Sequence, residues 1–256
     1  MKEKSLLYTF EALLNSLLRE VVELESIQFA DDKKFLNLVL SNTETLKIEI
    51  AFFSILGKHQ YGITHYLNDS AISLNDSLDK VISFSCSILD QSDEEQISDF
   101  KSRVTQSQKN IEVFLNDLSG SIEEEYKRPL DFIEAESLLI LGHSFHPYPK
   151  ARDGFTASDF KKYSPEYREG FSLAWAIVDK DVVVSKKEKS FDDEWINDVA
   201  KSCLGEELFN KHSDHNKVLM PIHPWQLAHL QSNKEIQELE SSGRVEFIHP
   251  QSEVLW

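Results

Sequence analysis

Gly142-His143-Ser144-Phe145-His146-Pro147-Tyr148-Pro149-Lys150-Ala151-Arg152-Asp153-Gly154-Phe155 divides this 256-residue chain into halves of different chemistry. Residues 1–140 carry 13 basic against 25 acidic side chains and residues 141–256 carry 14 against 19, so most of the overall charge of −17 lies upstream. Seven of the nine histidines and six of the seven prolines lie downstream. The upstream half therefore reads as a scaffold and the downstream half as loops that carry polar groups. Pro147 and Pro149 stiffen the dividing stretch against helix. Gly142 and Gly154 admit backbone geometries that other residues resist. Two imidazoles, an ammonium and a guanidinium on a stiff loop of an acidic chain suit a polyanion such as a nucleoside triphosphate. Lys offers a point charge, Arg a forked donor, and His an N–H.

Working outward, residues 5–28 place Leu6, Phe10, Leu13, Leu14, Leu17, Leu18, Val21 and Leu24 at helical spacing. Residues 45–56 open as a strict alternation rich in β-branched residues and predict a strand, with 61–67 as its hairpin partner. Helices are expected over 76–90, 93–117 and 121–140, the last kinked or restarted by Pro129. Downstream, 142–168 reads as loop. Residues 171–185 contain a strand ending Val182-Val183-Val184, and 191–210 form a helix with Asp192 and Asp193 near its start. Residues 218–222 and 245–248 are short strands, and Pro224 opens a helical turn. The expected fold class is α+β. A mainly helical unit with a small antiparallel sheet occupies 1–141, and a mixed α/β unit occupies 142–256.

Composition narrows the function. A hydrophobic fraction of 41% supports a packed core. The negative charge opposes nucleic acid and anionic membrane as partners, because both demand a basic face. No apolar run approaches a membrane span, and the opening segment reads as an amphipathic helix rather than a signal peptide. Cys86 and Cys203, far apart, suggest neither a disulfide framework nor a thiolate zinc site, and fit a cytoplasmic protein. A zinc reading of His143 and His146 joined by His223 remains open, although it lacks a carboxylate or thiolate partner. His212-Ser213-Asp214-His215 reads as exposed loop.

Two further motifs follow: Tyr163-Ser164-Pro165-Glu166, and Met220-Pro221-Ile222-His223-Pro224-Trp225-Gln226. With the dividing stretch they form an ordered pattern, Gly-His-x-x-His-Pro-x-x-Lys-x-Arg-x-Gly-Phe, Tyr-Ser-Pro-Glu, then Pro-x-His-Pro-Trp-Gln. That pattern resembles the IucA/IucC family of NRPS-independent siderophore synthetases. One departure is Ser144, where the family often has proline; it alters stiffness more than charge.

The resemblance implies a cupped-hand fold, with a thumb-like domain at 1–141 and the start of a fingers-like domain at 142–256. It implies an enzyme that uses ATP and Mg²⁺ to adenylate a carboxylate, commonly of citrate, before an amine or hydroxyl displaces AMP. His143, Ser144, His146, Lys150 and Arg152 become the phosphate-side positions, with Gly142 and Gly154 shaping the loop. Glu166, His223 and Gln226 become supporting positions, and Trp225 a packing residue. No catalytic nucleophile and no metal ligand is assigned. The whole protein is compatible with a homodimer. Family chains are longer and carry a later Ser-x-Arg-Thr phosphate segment that this sequence lacks. The expectation is therefore an N-terminal portion without ligase activity of its own. Two alternatives stand beside it: a catalytically silent remnant that acts as an interaction module, and a histidine-based metal-binding protein unrelated to ATP.

Overall fold

The computed structural model describes residues 1–20, 26–88, 93–125, 127–184, 194–212 and 216–249. They fall into two compact units, Met1–Phe155 and Thr156–Trp256. Among the described residues no helix is long and apolar enough to cross a membrane.

The first unit packs helices on a five-stranded antiparallel meander. Helix α1 (Lys2–Glu20) buries Phe10, Leu13, Leu14 and Leu17. Strands β1 (Ile27–Phe29), β2 (Phe35–Val39), β3 (Thr45–Phe52), β4 (Gln60–Leu67) and β5 (Ser70–Ile72) pair in sequence order. The alternation read from β3 is the alternation observed: Leu46, Ile48 and Ile50 point inward, and Leu36 and Leu38 of β2 lie on the same side. β4 is the hairpin partner expected for β3. Helix α2 (Leu74–Ile88) adds Leu74, Leu78, Val81 and Ile82 to this core, and α3 (Glu94–Glu125) adds Val104. One buried polar group is paired at both ends: Asn15 Nδ2 donates to the His59 carbonyl at 2.9 Å, and the Tyr61 hydroxyl donates to Asn15 Oδ1 at 2.9 Å.

Several expectations change here. The first helix is described over Lys2–Glu20 and does not reach 28, since Ile27 already belongs to a strand; residues 21–25 lie outside the described residues. The sheet is wider than the hairpin read from the sequence. The helices expected at 93–117 and 121–140 are instead one long α3, followed by the short α4 (Phe132–Ser137). Gly120 costs helix stability but does not end a helix whose Ile111, Phe114 and Leu115 are locked in the interior. The restart after Pro129 is made by Asp131, whose side chain accepts from Glu134 N–H in a capping box.

The second unit is built on a three-stranded antiparallel sheet of β6 (Ala174–Asp179), β7 (Lys217–Ile222) and β8 (Val245–Ile248), in the order β7-β6-β8. β6 is covered on both faces. Trp175 and Ile177 pack with Ala200, Cys203 and Leu204 of α6 (Glu194–His212). Ala174, Ala176 and Val178 pack on the other side, with Leu227 of α7 (Pro224–Ser232) in the same cluster. That two-sided burial explains why β6 reads as a continuous apolar run rather than an alternation. The strand stops at Asp179, short of the expected valines. Asp179 pairs across the ladder with Lys217, and Lys180–Val182 turn into a 3₁₀ helix. The expected helix at 191–210 is α6, although Asp192 and Asp193 lie outside the described residues. Two helices escaped the sequence reading: Ala157–Tyr163 (α5), inside the expected loop, and Lys234–Ser241 (α8).

Candidate functional site

The dividing loop belongs to the first unit, which extends to Phe155 rather than ending near 141. The reason is a set of bonds to α3, described below. A chain of tight turns shapes the loop: the N–H groups of Gly142, His146, Ala151 and Phe155 donate to the carbonyls of Leu139, His143, Tyr148 and Arg152. Gly142 has φ +72°, and a Cβ there would lie 2.7 Å from Pro149 Cβ and 3.2 Å from Lys150 Cε. Glycine thus lets the two ends of the segment Gly142–Lys150 close on each other. Gly154 also has a positive φ, of 79°.

Three motif histidines share one local device. Nδ1 of His143 accepts from Phe145 N–H at 3.2 Å, Nδ1 of His146 from Tyr148 N–H at 3.2 Å, and Nδ1 of His223 from Trp225 N–H at 3.1 Å. A nitrogen that accepts is unprotonated, so each neutral ring carries its proton on Nε2. The device fixes the tautomer of each imidazole and leaves its Nε2–H as the donor. Partial desolvation by the loop around it, and then the nearby His143, holds His146 below the ordinary histidine pKa. Burial does the same to His223.

The cationic side chains divide. Lys150 is only 5% exposed, with Nζ 5.7 Å from the centre of the Phe114 ring. Arg152 is half-buried, and its Nη1 donates to the Ala151 carbonyl at 3.1 Å. Ser144 is half-buried, and His143 and His146 are exposed on the loop. Arg19 lies over the Phe145 ring at 4.4 Å, and Tyr148 meets Phe100 edge-on at 5.8 Å. The loop's aromatic residues are therefore its anchors.

Four residues of α3 that sequence reading missed hold this loop. Gln106, Ser107 and Asn110 bond to the backbone of Lys150 and Arg152, and Arg103 Nη1 pairs with Asp153 at 2.9 Å. Their signal was present: positions 103, 106, 107 and 110 share one face of a helix.

The second unit joins the other two motifs. Tyr163 ends α5, which starts with a Thr156–Asp159 capping box. His223 is the N-cap of α7, with Pro224 in the first turn as expected. The rings of Tyr163 and Phe171 stand 4.8 Å and 4.5 Å from His223 and 5.4 Å from each other. Glu166 is buried in the 3₁₀ turn Pro165–Tyr167, which closes on Arg168 at φ +56°. Gln226 is exposed on the first turn of α7, and Trp225 packs on His229 at 4.6 Å. Among the described residues no three His, Cys, Asp or Glu side chains converge as a metal-binding group. Residues 213–215 of the His212–His215 segment lie outside the described residues.

Comparison with known proteins agrees with these motifs. The model of the IucA / IucC family matches residues 131–256. The chain is 31% identical over 230 residues to the N(2)-citryl-N(6)-acetyl-N(6)-hydroxylysine synthase of Vibrio mimicus, a match covering 88% of this chain and 38% of that protein. It is 25% identical over 218 residues to the L-2,3-diaminopropanoate–citrate ligase of Staphylococcus aureus, covering 82% and 36%. In fold it is similar to ATP-bound aerobactin synthetase IucA from Klebsiella pneumoniae. There the TM-score is 0.74 and the identity 22%, over 95% of this chain and 43% of that one. The petrobactin biosynthesis protein AsbB of Bacillus anthracis gives a TM-score of 0.63 at 18% identity, over 100% and 43%. The chain thus spans about two-fifths of the length of these relatives. With the three motifs in order inside them, residues 131–256 match the IucA / IucC family, and 88% of the chain is similar to a synthase of citryl-hydroxylysine.

Proposed function

We propose that the protein carrying this chain uses ATP and Mg²⁺ to adenylate a carboxylate of citrate or a citrate derivative. An amine or hydroxyl of a second substrate then attacks the acyl carbon, AMP leaves, and an amide or ester of a siderophore results. The observation that carries this reading is the 31% identity to a citryl-hydroxylysine synthase across 88% of the chain.

The chemistry of the loop supports it. Adenylation concentrates negative charge on the α-phosphoryl group and on departing pyrophosphate, so preorganised donors matter most. His143 and His146 offer Nε2–H groups of fixed tautomer, Ser144 a hydroxyl, and Arg152 a guanidinium. This donor set fits a polyphosphate. Lys150, sunk beneath the loop, contributes through its field more than by contact, since a buried charge is less screened. Gly142 and Gly154 set the turns. In the second unit, His223 caps α7 and holds the turn that presents Gln226, while Glu166 supports its own turn. Mg²⁺ would neutralise phosphate charge.

The test is product formation by the protein expressed from its intact gene. Supplied with ATP, Mg²⁺, citrate and a panel of amines and amino alcohols, it should release AMP and pyrophosphate only when citrate is present. A condensation product of the summed mass less water should accompany them. Absence of AMP with every carboxylate and acceptor tried contradicts the reading.

A further inference from the structure

Helix α3 holds the loop through the backbone N–H and C=O groups of two loop residues. At Lys150 and Arg152 all four of these groups face α3. Gln106 closes two bonds on Arg152: Oε1 accepts from its N–H at 2.8 Å and Nε2 donates to its carbonyl at 3.2 Å. Ser107 Oγ accepts from Lys150 N–H at 3.0 Å, and Asn110 Nδ2 donates to the Lys150 carbonyl at 2.7 Å. Ser107 is fully buried, and α3 is itself locked by Val104, Ile111 and Phe114. A carboxamide that matches both polar groups of one residue has a single good register.

The geometry points to a positioning role for Gln106, with Ser107 and Asn110. They fix the register at which the side chains of Lys150 and Arg152 leave the loop, so ATP affinity depends on α3 side chains that need not touch the nucleotide. This rests on the ATP reading above. Nothing in the three family-like motifs includes α3.

The test compares Gln106→Ala and Gln106→Glu with wild type, using the protein from its intact gene. Gln106→Ala removes both bonds to Arg152. It should raise the KM for ATP about tenfold, with the KM for the carboxylate and the melting temperature close to wild type. Amide hydrogen exchange at Arg152 should quicken in the same variant. Gln106→Glu supplies a readout that a merely structural role would not move. As a carboxylate it accepts from Arg152 N–H but sets a second acceptor against the Arg152 carbonyl. Once protonated it donates again, so the ratio of its ATP KM to that of wild type at the same pH should fall towards one as the pH drops. Unchanged exchange at Arg152 in Gln106→Ala would overturn the clamp. Faster exchange with an unchanged ATP KM would overturn the positioning role alone. A wild type without ATP-dependent turnover would overturn the functional reading, and this role with it.

Discussion

Gly142 shows what a single residue contributes. Its φ of +72° is strained for any L side chain, and a Cβ would fall 2.7 Å from Pro149 Cβ, a ring that cannot swing away. Gly142→Ala should therefore destabilise the first unit by about 1–3 kcal/mol, read from the urea midpoint. It should also raise the KM for ATP, because the turn precedes His143. The need for glycine at this position was legible, since prolines nearby and a positive-φ residue are a common way to close a tight loop. The fate of Lys150 was not. A lysine in a motif reads as a surface charge, and only the fold shows it 5% exposed under the loop with its ammonium near Phe114. Asp153, on the same loop, is paired with Arg103 of α3. The tautomers of His143, His146 and His223 were also hidden, because they depend on backbone N–H groups two residues on.

Elements were legible in proportion to their periodicity. β3 was visible because the alternation of its first six residues is hard to mistake, and β4 was legible as its hairpin partner. β1 and β5, three residues each, are too short to carry a period. α3 runs across the break between two helices of the sequence reading, 93–117 and 121–140; Gly120 lies at that break, yet glycine only costs a helix about 1 kcal/mol. α6 shows the opposite case. Gly205 sits inside it at φ 76°, ψ 159°, a conformation outside the helical region. No atom would touch a Cβ there. Gly205→Ala is thus a backbone test free of steric contact. It should cost about 1–3 kcal/mol by denaturant unfolding of the second unit. An equal or higher midpoint would mean that the kink is not kept in solution. The α3 clamp belongs to this scale as well. Its residues sit on one helix face, but a polar face reads as solvated until a loop is seen bonded to it.

At the scale of the molecule, four histidines give a common acid response. His59, His65, His146 and His223 all lie below the ordinary histidine pKa, with desolvation the leading cause in each, only partial at the exposed His146. The unfolded chain binds protons near pH 6.5 while the folded chain resists them. Stability is therefore complete above about pH 6.5 and falls as the pH drops through the depressed folded values. Glu11 acts in the opposite sense, since burial raises its pKa and favours the folded state as the carboxyl protonates. Its window lies lower, above the carboxylate range near 4.5. Melting temperature should thus decline from pH 7 to pH 5.5, and His65→Gln, at the most buried of the four, should flatten that decline.

The division into two chemically distinct halves was legible from charge, proline and histidine alone. The loop's attachment to the first unit was not, because it rests on Gln106, Ser107 and Asn110, forty and more residues upstream. The central claim is that the protein activates a carboxylate by adenylation, and isotope transfer tests it most directly. Citrate labelled with ¹⁸O in its carboxylates is turned over with ATP, Mg²⁺ and an accepted amine. Attack of the carboxylate oxygen on the α-phosphorus, then of the amine on the acyl carbon, leaves that oxygen on AMP. The label should appear in AMP and not in pyrophosphate. Product formed with unlabelled AMP, or with ADP and labelled inorganic phosphate, would contradict adenylation.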